Sequence, residues 1–237
     1  MTDGMMPAAA PPGAAAVFGE ALPLAERYAA LLTGPGVERG LIGPGEAGRI
    51  WDRHIFNCAA VAELVPDGSS VADLGSGAGL PGIVLAILRP EAELTLVEPM
   101  ARRVAFLREC VEALGLSQVR VVRGRAEDLA GQVSADIVTA RAVAPLDRLA
   151  GWAVGICRPG GTVLAIKGAS ASDEVAAAMP VLRRLGISDV TVLQVGSDRL
   201  GRAATVVRLV VPRRPSGTRS RRGQRSRGGA RSAGSRR

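Results

Sequence analysis

A glycine-rich stretch at residues 70–82 constrains the fold of this chain more than any other segment. It reads Ser-Val-Ala-Asp-Leu-Gly-Ser-Gly-Ala-Gly-Leu-Pro-Gly: a short apolar strand, a turn with three glycines, and a proline suited to a first helical turn. Glycine permits positive φ angles and lets a ligand approach the backbone closely. A strand, a glycine turn and a helix N-terminus in this order predict a nucleotide-type site at the carboxyl end of a parallel strand.

Strands and helices alternate along the chain after this stretch. Apolar runs predict seven strands, at residues 71–74, 94–98, 119–123, 136–140, 162–167, 190–195 and 205–210. Helical periodicity fills most of the gaps, at residues 81–88, 101–114, 145–157 and 172–185. This order predicts an α/β fold with a doubly wound, seven-stranded, mostly parallel sheet of Rossmann-like type. The last two strands are joined by a short loop, so we expect them to form an antiparallel hairpin.

Composition divides the chain into four segments. Residues 1–17 are rich in Ala and Pro and are expected to be disordered, and residues 18–68 carry two helical patterns that predict an N-terminal helical cap. Residues 69–211 are the predicted α/β domain, and residues 212–237 are expected to be a disordered tail. From Val211 onward there are ten arginines and no acid, so the rest of the chain carries a net charge of −2 although the whole carries +8.

Cysteine content and hydropathy exclude several classes of protein. The three cysteines, Cys58, Cys110 and Cys157, are widely spaced, which argues against a disulfide framework or a metal site and favours small apolar residues in a reducing compartment. The apolar run at residues 83–88 is much shorter than the roughly 20 residues of a membrane span. The first residues also lack the basic region of a signal peptide. We therefore expect a cytoplasmic protein that neither associates with a membrane nor binds a metal ion.

The glycine pattern by itself fits two cofactors. Gly-x-Gly-x-x-Gly at residues 77–82, with Glu98 about 20 residues further on, formally matches the dinucleotide fingerprint. Three features favour a different cofactor: Asp73 at the strand end suits a cationic ammonium group, Glu127 and Asp128 follow the third strand, and the chain ends in a hairpin. Asp73 alternatively serves only the turn, and the two later acids also suit a helix start.

The chain resembles class I S-adenosylmethionine methyltransferases at the glycine stretch, and one family of them over a longer set of motifs. That set comprises Arg53-His54-Ile55, Gly79-Leu80-Pro81-Gly82-Ile83, Arg89-Pro90-Glu91-Ala92, the arginine-rich residues 102–107, Gly124-Arg125-Ala126-Glu127, Ala140-Arg141-Ala142 and Lys167-Gly168. The family is RsmG, also called GidB, whose members methylate guanine N7 in 16S ribosomal RNA. Many methyltransferases share the glycine motif, whereas its combination with Arg-His upstream and Ala-Arg-Ala downstream is specific. The resemblance covers roughly residues 18–211.

This resemblance implies S-adenosylmethionine as the cofactor and assigns residues to it. Glu98 is expected at the ribose hydroxyls, and Ala126 and Glu127 at the adenine. Arg141 is expected to face both cofactor and substrate. The other predicted cofactor contacts are Asp73, Gly75, Gly77, Gly79 and Leu80.

The resemblance also implies 16S ribosomal RNA, or the small ribosomal subunit, as the partner of a monomeric enzyme. The predicted catalytic residues are Arg141, Arg53, His54 and Lys167, although an ion pair is the plain alternative for Arg141. Arg53 and His54 are neighbours on a cap helix, so they should diverge by about 100° while contacting RNA phosphate or base. Lys167 is expected at a substrate phosphate. The full set of predicted RNA contacts is Arg53, Arg125, Lys167, Arg199 and Arg202.

Methylation of guanine N7 does not need the catalytic groups and motifs that this sequence lacks. N7 already carries a free lone pair, so its methylation requires no general base, and the chain has no Asn/Asp-Pro-Pro-Tyr/Phe segment for an exocyclic amine. Aromatic residues are only 3% of the chain, too few for a stacking platform, and Trp51 and Trp152 are expected in the core. Three alternatives remain open: a small-molecule methyltransferase, a nicotinamide-dependent oxidoreductase, and an RNA-binding protein with an inactive cofactor site. The arginine tail is expected to add non-specific RNA affinity.

Overall fold

A seven-stranded sheet forms the centre of the computed structural model, which describes residues 9–196 and 203–213. The strand order is β3-β2-β1-β4-β5-β7-β6. The strands are β1 (Ser70–Leu74), β2 (Glu93–Glu98), β3 (Val119–Arg123), β4 (Ala135–Arg141), β5 (Cys157–Lys167), β6 (Val190–Val195) and β7 (Ala204–Val210).

Strand β1 lies at the middle of the parallel part of the sheet. It pairs in parallel with β2 on one side and with β4 on the other, so the chain reverses its winding direction at β1. Strand β7 runs antiparallel to both β5 and β6, and the last two strands form the predicted hairpin. The predicted fold class, a doubly wound and mostly parallel sheet, is therefore confirmed. A reversal of this kind opens a crevice at the carboxyl ends of the central strands, where ligands bind.

Helices cover both faces of the sheet and bury two apolar layers. One layer joins the N-terminal helices to α5 (Gly82–Leu88) and α6 (Ala101–Leu114). The other packs α7 (Leu146–Ile156) and α8 (Ala171–Arg184) against the opposite face. Helix α5 begins at Gly82, with Pro81 as its N-cap and not within its first turn as predicted. No helix within the described ranges is long and apolar enough to cross a membrane.

The N-terminal region is helical from Ala14, earlier than the sequence predicts. Helix α1 (Ala14–Phe18) leads through a 3₁₀ turn (Gly19–Ala21) into α2 (Leu22–Thr33), which is followed by α3 (Pro35–Glu38). Residues 14–17 were expected to be disordered, but Ala14 is fully buried and the Phe18 ring meets Trp51 edge to face at 6.0 Å. Burial of these apolar side chains orders the end of a segment whose composition suggests disorder.

The second cap pattern is not one regular helix. It consists of a 3₁₀ segment (Pro44–Arg49), a π-helical segment (Ile50–Ile55), helix α4 (Phe56–Ala59) and a second 3₁₀ segment (Ala60–Leu64). Regular 3.6-residue spacing therefore does not describe the side-chain directions here. The π-helical segment carries both Arg53 and His54.

Candidate active site

The turn after β1 has the backbone geometry that its glycines predict. Gly75, Gly77 and Gly79 have φ angles of 65°, 60° and 101°. A Cβ atom on Gly75 would lie 2.8 Å from Val143 Cγ2, and one on Gly79 would lie 2.5 Å from Ile83 Cδ1. Glycine is required here both by positive φ and by close packing.

Asp73 lies beneath this turn and braces it. Its side chain is 1% exposed, Oδ1 accepts a hydrogen bond from Thr139 Oγ1 at 3.0 Å, and Oδ2 accepts one from the Gly82 N–H at 3.2 Å. Burial raises the pKa of Asp73 to about 7. Asp73 is not among the residues that line the cavities next to the turn. This placement matches the alternative interpretation, in which the carboxyl group serves the turn, and leaves the ammonium contact a prediction.

Glu98 connects the end of β2 to the same turn. Its side chain is 1% exposed, and its two oxygens accept hydrogen bonds from the N–H groups of Gly77 and Met100, both at 3.0 Å. Arg103 lies 3.7 Å from Oε2. A carboxylate oxygen can accept two hydrogen bonds, so each oxygen of Glu98 retains capacity for a ligand hydroxyl group.

A cavity of about 640 Å³ opens beside these residues, within the size range of small-molecule and cofactor sites. Four of its lining residues are predicted cofactor contacts: Gly75, Glu98, Ala126 and Glu127. Apolar side chains of Leu74, Val97, Pro99, Met100, Val143 and Trp152 form much of its wall, and Arg125 lies at it as well. Trp51 is buried as expected, whereas Trp152 is only partly buried: it packs against the core and also lines this cavity.

A second and more polar cavity of about 910 Å³ contains the predicted catalytic residues. Arg53, His54, Arg141 and Lys167 all line it, although they come from three separate parts of the chain. The two cavities share Ala142 and Val143, which follow β4 directly. Ala142 has a φ of 52°, the one positive value among the described non-glycine residues. Strain of this kind clusters at functional sites.

Arg141 projects from the end of β4 onto the cap. Its guanidinium group lies 2.7 Å from His54 Nδ1, 3.4 Å from Cys58 Sγ and 3.3 Å from the carbonyl oxygen of Arg53. Since arginine only donates, Nδ1 of His54 must be the acceptor, and the proton of the neutral ring resides on Nε2. Arg141 is therefore bound to a histidine and a backbone carbonyl, and within residues 9–196 and 203–213 it forms no ion pair with a carboxylate.

Glu46 is a site residue that the sequence analysis missed. Its Oε1 lies 2.9 Å from Arg53 Nη1 and its Oε2 lies 2.9 Å from His54 Nε2, so one carboxylate holds both residues. The expected divergence of Arg53 and His54 is wrong in consequence, because the segment is π-helical and both side chains turn back toward Glu46. The only sequence feature that could have indicated Glu46 is that this carboxylate lies in a Gly-rich segment eight residues before His54.

Lys167 is bound within the protein at the rim of the second cavity. Its Nζ donates to the Ala144 carbonyl at 3.0 Å and to Glu174 Oε2 at 2.6 Å, and its side chain is 10% exposed. Glu174, on the first turn of α8, also lines this cavity and was not predicted. The predicted residues Arg199 and Arg202 lie outside the described residues.

A smaller cavity of about 200 Å³ connects the glycine turn to the cap residues. It is lined by Gly75, Gly77 and Leu80 from the turn and by His54 and Arg141 from the other side. The predicted cofactor and substrate residues therefore meet at this point. In the described part of the chain, no group of His, Cys, Asp and Glu is arranged to hold a metal ion.

Catalytic turnover should fall in acid as His54 gains a proton. Burial, followed by the nearby Arg141 guanidinium, lowers the pKa of His54 below its ordinary value, although Glu46 acts in the opposite direction. Protonation of Nδ1 would replace an acceptor by a donor facing Arg141. Histidine in the unfolded chain has a pKa of about 6.5, so below this pH the unfolded chain binds a proton more readily than the folded protein does. The stability that the neutral His54 ring contributes should therefore be fully present above this pH and be lost as the pH falls below it.

The measurement is a kcat profile from pH 5 to 8 for the native protein and for His54→Asn, whose amide oxygen accepts from Arg141 but does not titrate. We expect a declining acid limb in the native protein and a flatter one in the variant. An identical acid limb in both would show that another group controls it.

Comparison with known sequences identifies the family to which this chain belongs. Residues 21–200 match the model of the family described as rRNA small subunit methyltransferase G, or GidB. A ribosomal RNA small subunit methyltransferase G from Thermobifida fusca is 51% identical over 236 residues, covering 93% of this chain and 98% of that protein. The protein of the same name from a Mycobacterium species is 56% identical over 204 residues, covering 84% and 89% of the two chains.

Solved structures with much lower sequence identity share the fold. An S-adenosyl-L-methionine-dependent methyltransferase from Methanococcus maripaludis superposes with a TM-score of 0.55 at 13% identity, covering 81% of this chain and 95% of that one. An S-adenosylmethionine-dependent O-methyltransferase from Thermotoga maritima gives a TM-score of 0.54 at 13% identity and covers 68% and 66%. At these identities the comparison supports the Rossmann-like methyltransferase fold alone.

Proposed function

Because this chain belongs to the rRNA small subunit methyltransferase G family, a family of S-adenosylmethionine-dependent enzymes, we propose that it methylates N7 of a guanine in 16S ribosomal RNA. The observation that carries the proposal is the meeting of two cavities at Ala142 and Val143, beside Arg141. One has the size of a cofactor site and the other is more polar. Family membership also decides between the two cofactors that the glycine pattern left open. The oxidoreductase alternative is therefore set aside.

The size and the lining of the first cavity support S-adenosylmethionine as its ligand. We place the ribose at Glu98, the adenine at Ala126 and Glu127 against the apolar wall, and the amino-acid part at Gly75, Gly77, Gly79 and Leu80. Gly75, Gly77 and Leu80 line the small cavity beside Arg141, which supports this placement. Asp73 acts through the turn that it braces.

The chemistry proposed for the second cavity requires positioning and not proton removal. When bound, S-adenosylmethionine supplies an activated methyl group, which the N7 lone pair accepts in line as the sulfur–carbon bond breaks. His54 has no free lone pair, since Nδ1 accepts from Arg141 and Nε2–H donates to Glu46. Burial raises the pKa of Cys58 to about 11, so this thiol is not a nucleophile near neutral pH. A site without a free base suits N7, which has no proton to lose.

Charge at the second cavity suits an anionic substrate. Arg53, Arg141 and Lys167 line it, against two carboxylates, Glu46 and Glu174. We propose that Arg141 orients the target base beside the cofactor, while Arg53 and Lys167 contact RNA phosphates. Further phosphate contacts are proposed for Arg125, which is exposed, and for Arg199 and Arg202. The proposal includes a monomeric enzyme acting in the cytoplasm on 16S RNA or on the small subunit.

The test of this proposal is transfer of a labelled methyl group. The protein is incubated with methyl-tritiated S-adenosylmethionine and small ribosomal subunits from bacteria that lack the modification. Large subunits and a protein-free metabolite extract serve as matched controls. We expect label in 16S RNA only, and label in a metabolite but in no RNA would overturn the proposal.

A further inference from the structure

The only tyrosine of this chain lies directly under the glycine turn. Tyr28, on α2, is completely buried, and its hydroxyl group donates to the carbonyl oxygen of Ala78 at 2.9 Å. Fifty residues separate the two partners in sequence. Burial raises the pKa of Tyr28 well above its ordinary value, so the hydroxyl keeps its proton and remains a donor at physiological pH. The contact therefore links the N-terminal cap to the turn.

The turn around Ala78 is compact and shared with the candidate active site. The N–H groups of Gly79 and Leu80 both donate to the Ser76 carbonyl, at 2.7 Å and 3.2 Å. The N–H of Gly77 donates to Glu98 on the other side of the same turn. Ala78 and Leu80 line the small cavity that also contains Arg141. A shift of Ala78 would therefore displace groups that we place against the cofactor.

Tyr28 also limits how the turn can pack. A Cβ on Gly79 would lie 2.8 Å from the tyrosine hydroxyl, so this hydroxyl group occupies the space directly behind the glycine. The hydroxyl group satisfies a buried carbonyl, and an unsatisfied buried carbonyl is costly enough to make the backbone rearrange. Both the shape and the hydrogen bond of Tyr28 thus hold residues 76–80 in one conformation.

We propose that Tyr28 is a positioning residue for S-adenosylmethionine: its hydroxyl group keeps the glycine turn in the conformation that binds the cofactor. The inference rests on the cofactor placement in the proposed function. It does not depend on the identity of the RNA substrate. Tyr28 makes no contact with the reacting atoms, so replacing it should change the affinity for the cofactor and not the rate of the chemical step.

The test compares Tyr28→Phe with Thr33→Val. Thr33 is a matched control because it is buried on the same helix and its hydroxyl also donates to a backbone carbonyl, that of Ala29 at 2.9 Å. Calorimetric titration should give a dissociation constant for S-adenosylmethionine about tenfold higher in Tyr28→Phe, which corresponds to one lost hydrogen bond. Thr33→Val should bind like the native protein. In kinetics, Tyr28→Phe should raise KM for the cofactor and leave kcat at saturation unchanged.

Hydrogen exchange adds a readout that needs no turnover. Without cofactor, the amides of residues 76–80 should exchange faster in Tyr28→Phe than in Thr33→Val. Unchanged cofactor affinity in Tyr28→Phe, or an equal loss in both variants, would overturn the inference. Failure of the native protein to bind S-adenosylmethionine would instead overturn the proposed function, so the two failures are distinguishable.

Because Tyr28 is the only tyrosine, 3-fluorotyrosine incorporation labels this position alone and does not depend on the folding of a variant. Its fluorine resonance should shift as S-adenosylmethionine is added and should saturate with the calorimetric dissociation constant. A resonance that does not respond at saturating cofactor would also overturn the inference.

Discussion

Replacing Arg141 by alanine should lower kcat at least about a hundredfold while the protein remains folded. Arg141 joins the end of β4 to His54 and Cys58 on the cap, at the junction of the cofactor and substrate cavities. Its loss removes the group proposed to orient the base, and misplacement of reacting groups costs rate on this scale. The stability cost should be about 1–3 kcal/mol, since part-buried partners lose a donor. Methyl transfer and thermal unfolding are measured together.

Arg158→Ala is the matched control for this experiment. Arg158 also carries a guanidinium group bound at β4, but at the opposite end of the strand, where it pairs with Asp136 at 2.7 Å and is half exposed. This variant should retain native kcat and cofactor affinity. If Arg141→Ala keeps turnover within a few-fold of the native protein, Arg141 has no role in orienting the substrate.

Replacing Gly79 by alanine should weaken S-adenosylmethionine binding by at least about thirtyfold. At a φ of 101°, an alanine is strained by about 1–3 kcal/mol, and its Cβ would contact Ile83 and the Tyr28 hydroxyl at 2.5 Å and 2.8 Å. Neither neighbour has room to move in the core, so the turn must shift. Since about 1.4 kcal/mol of binding free energy corresponds to a tenfold change in affinity, a strain of this size accounts for the expected loss. Calorimetric titration measures it.

Gly115→Ala separates backbone strain from the effect on the site. Gly115 ends α6 with a φ of 67°, and a Cβ there would meet no atom within 4 Å. This variant should lose about 1 kcal/mol of stability and bind the cofactor normally. Native affinity in Gly79→Ala would contradict the assignment of this turn to S-adenosylmethionine.

The regular elements were predictable because their periodicity and their end signals agree. Strand β3 and helix α6 have the predicted bounds, and α6 ends where Gly115 adopts the left-handed conformation that glycine favours. Strand β5 begins at Cys157, earlier than predicted, because Cys157 pairs with Ala135 on the far side of a register shift that contains Pro159, Gly160 and Gly161. These three residues suggest a loop in the sequence. Local composition does not reveal pairing that the neighbouring strand imposes.

The candidate site was only partly predictable from the sequence. Residues at the carboxyl ends of strands, such as Glu98 and Arg141, were predictable because the topology brings these ends to one edge of the sheet. Glu46 and Tyr28 were not, since their partners are set by how the cap folds over the sheet. The direction of Asp73 was equally hidden, because the sequence places a carboxyl group at the turn but does not say on which side of it.

The position of the transferred methyl group decides whether this protein is a guanine-N7 methyltransferase. After reaction with small subunits that lack the modification, 16S RNA is digested to nucleosides for mass spectrometry, and a second portion is reduced and cleaved with aniline at N7-methylated guanines. We expect 7-methylguanosine and cleavage at a single guanine. A methyl group on another base, on an exocyclic amine or on a ribose would contradict it.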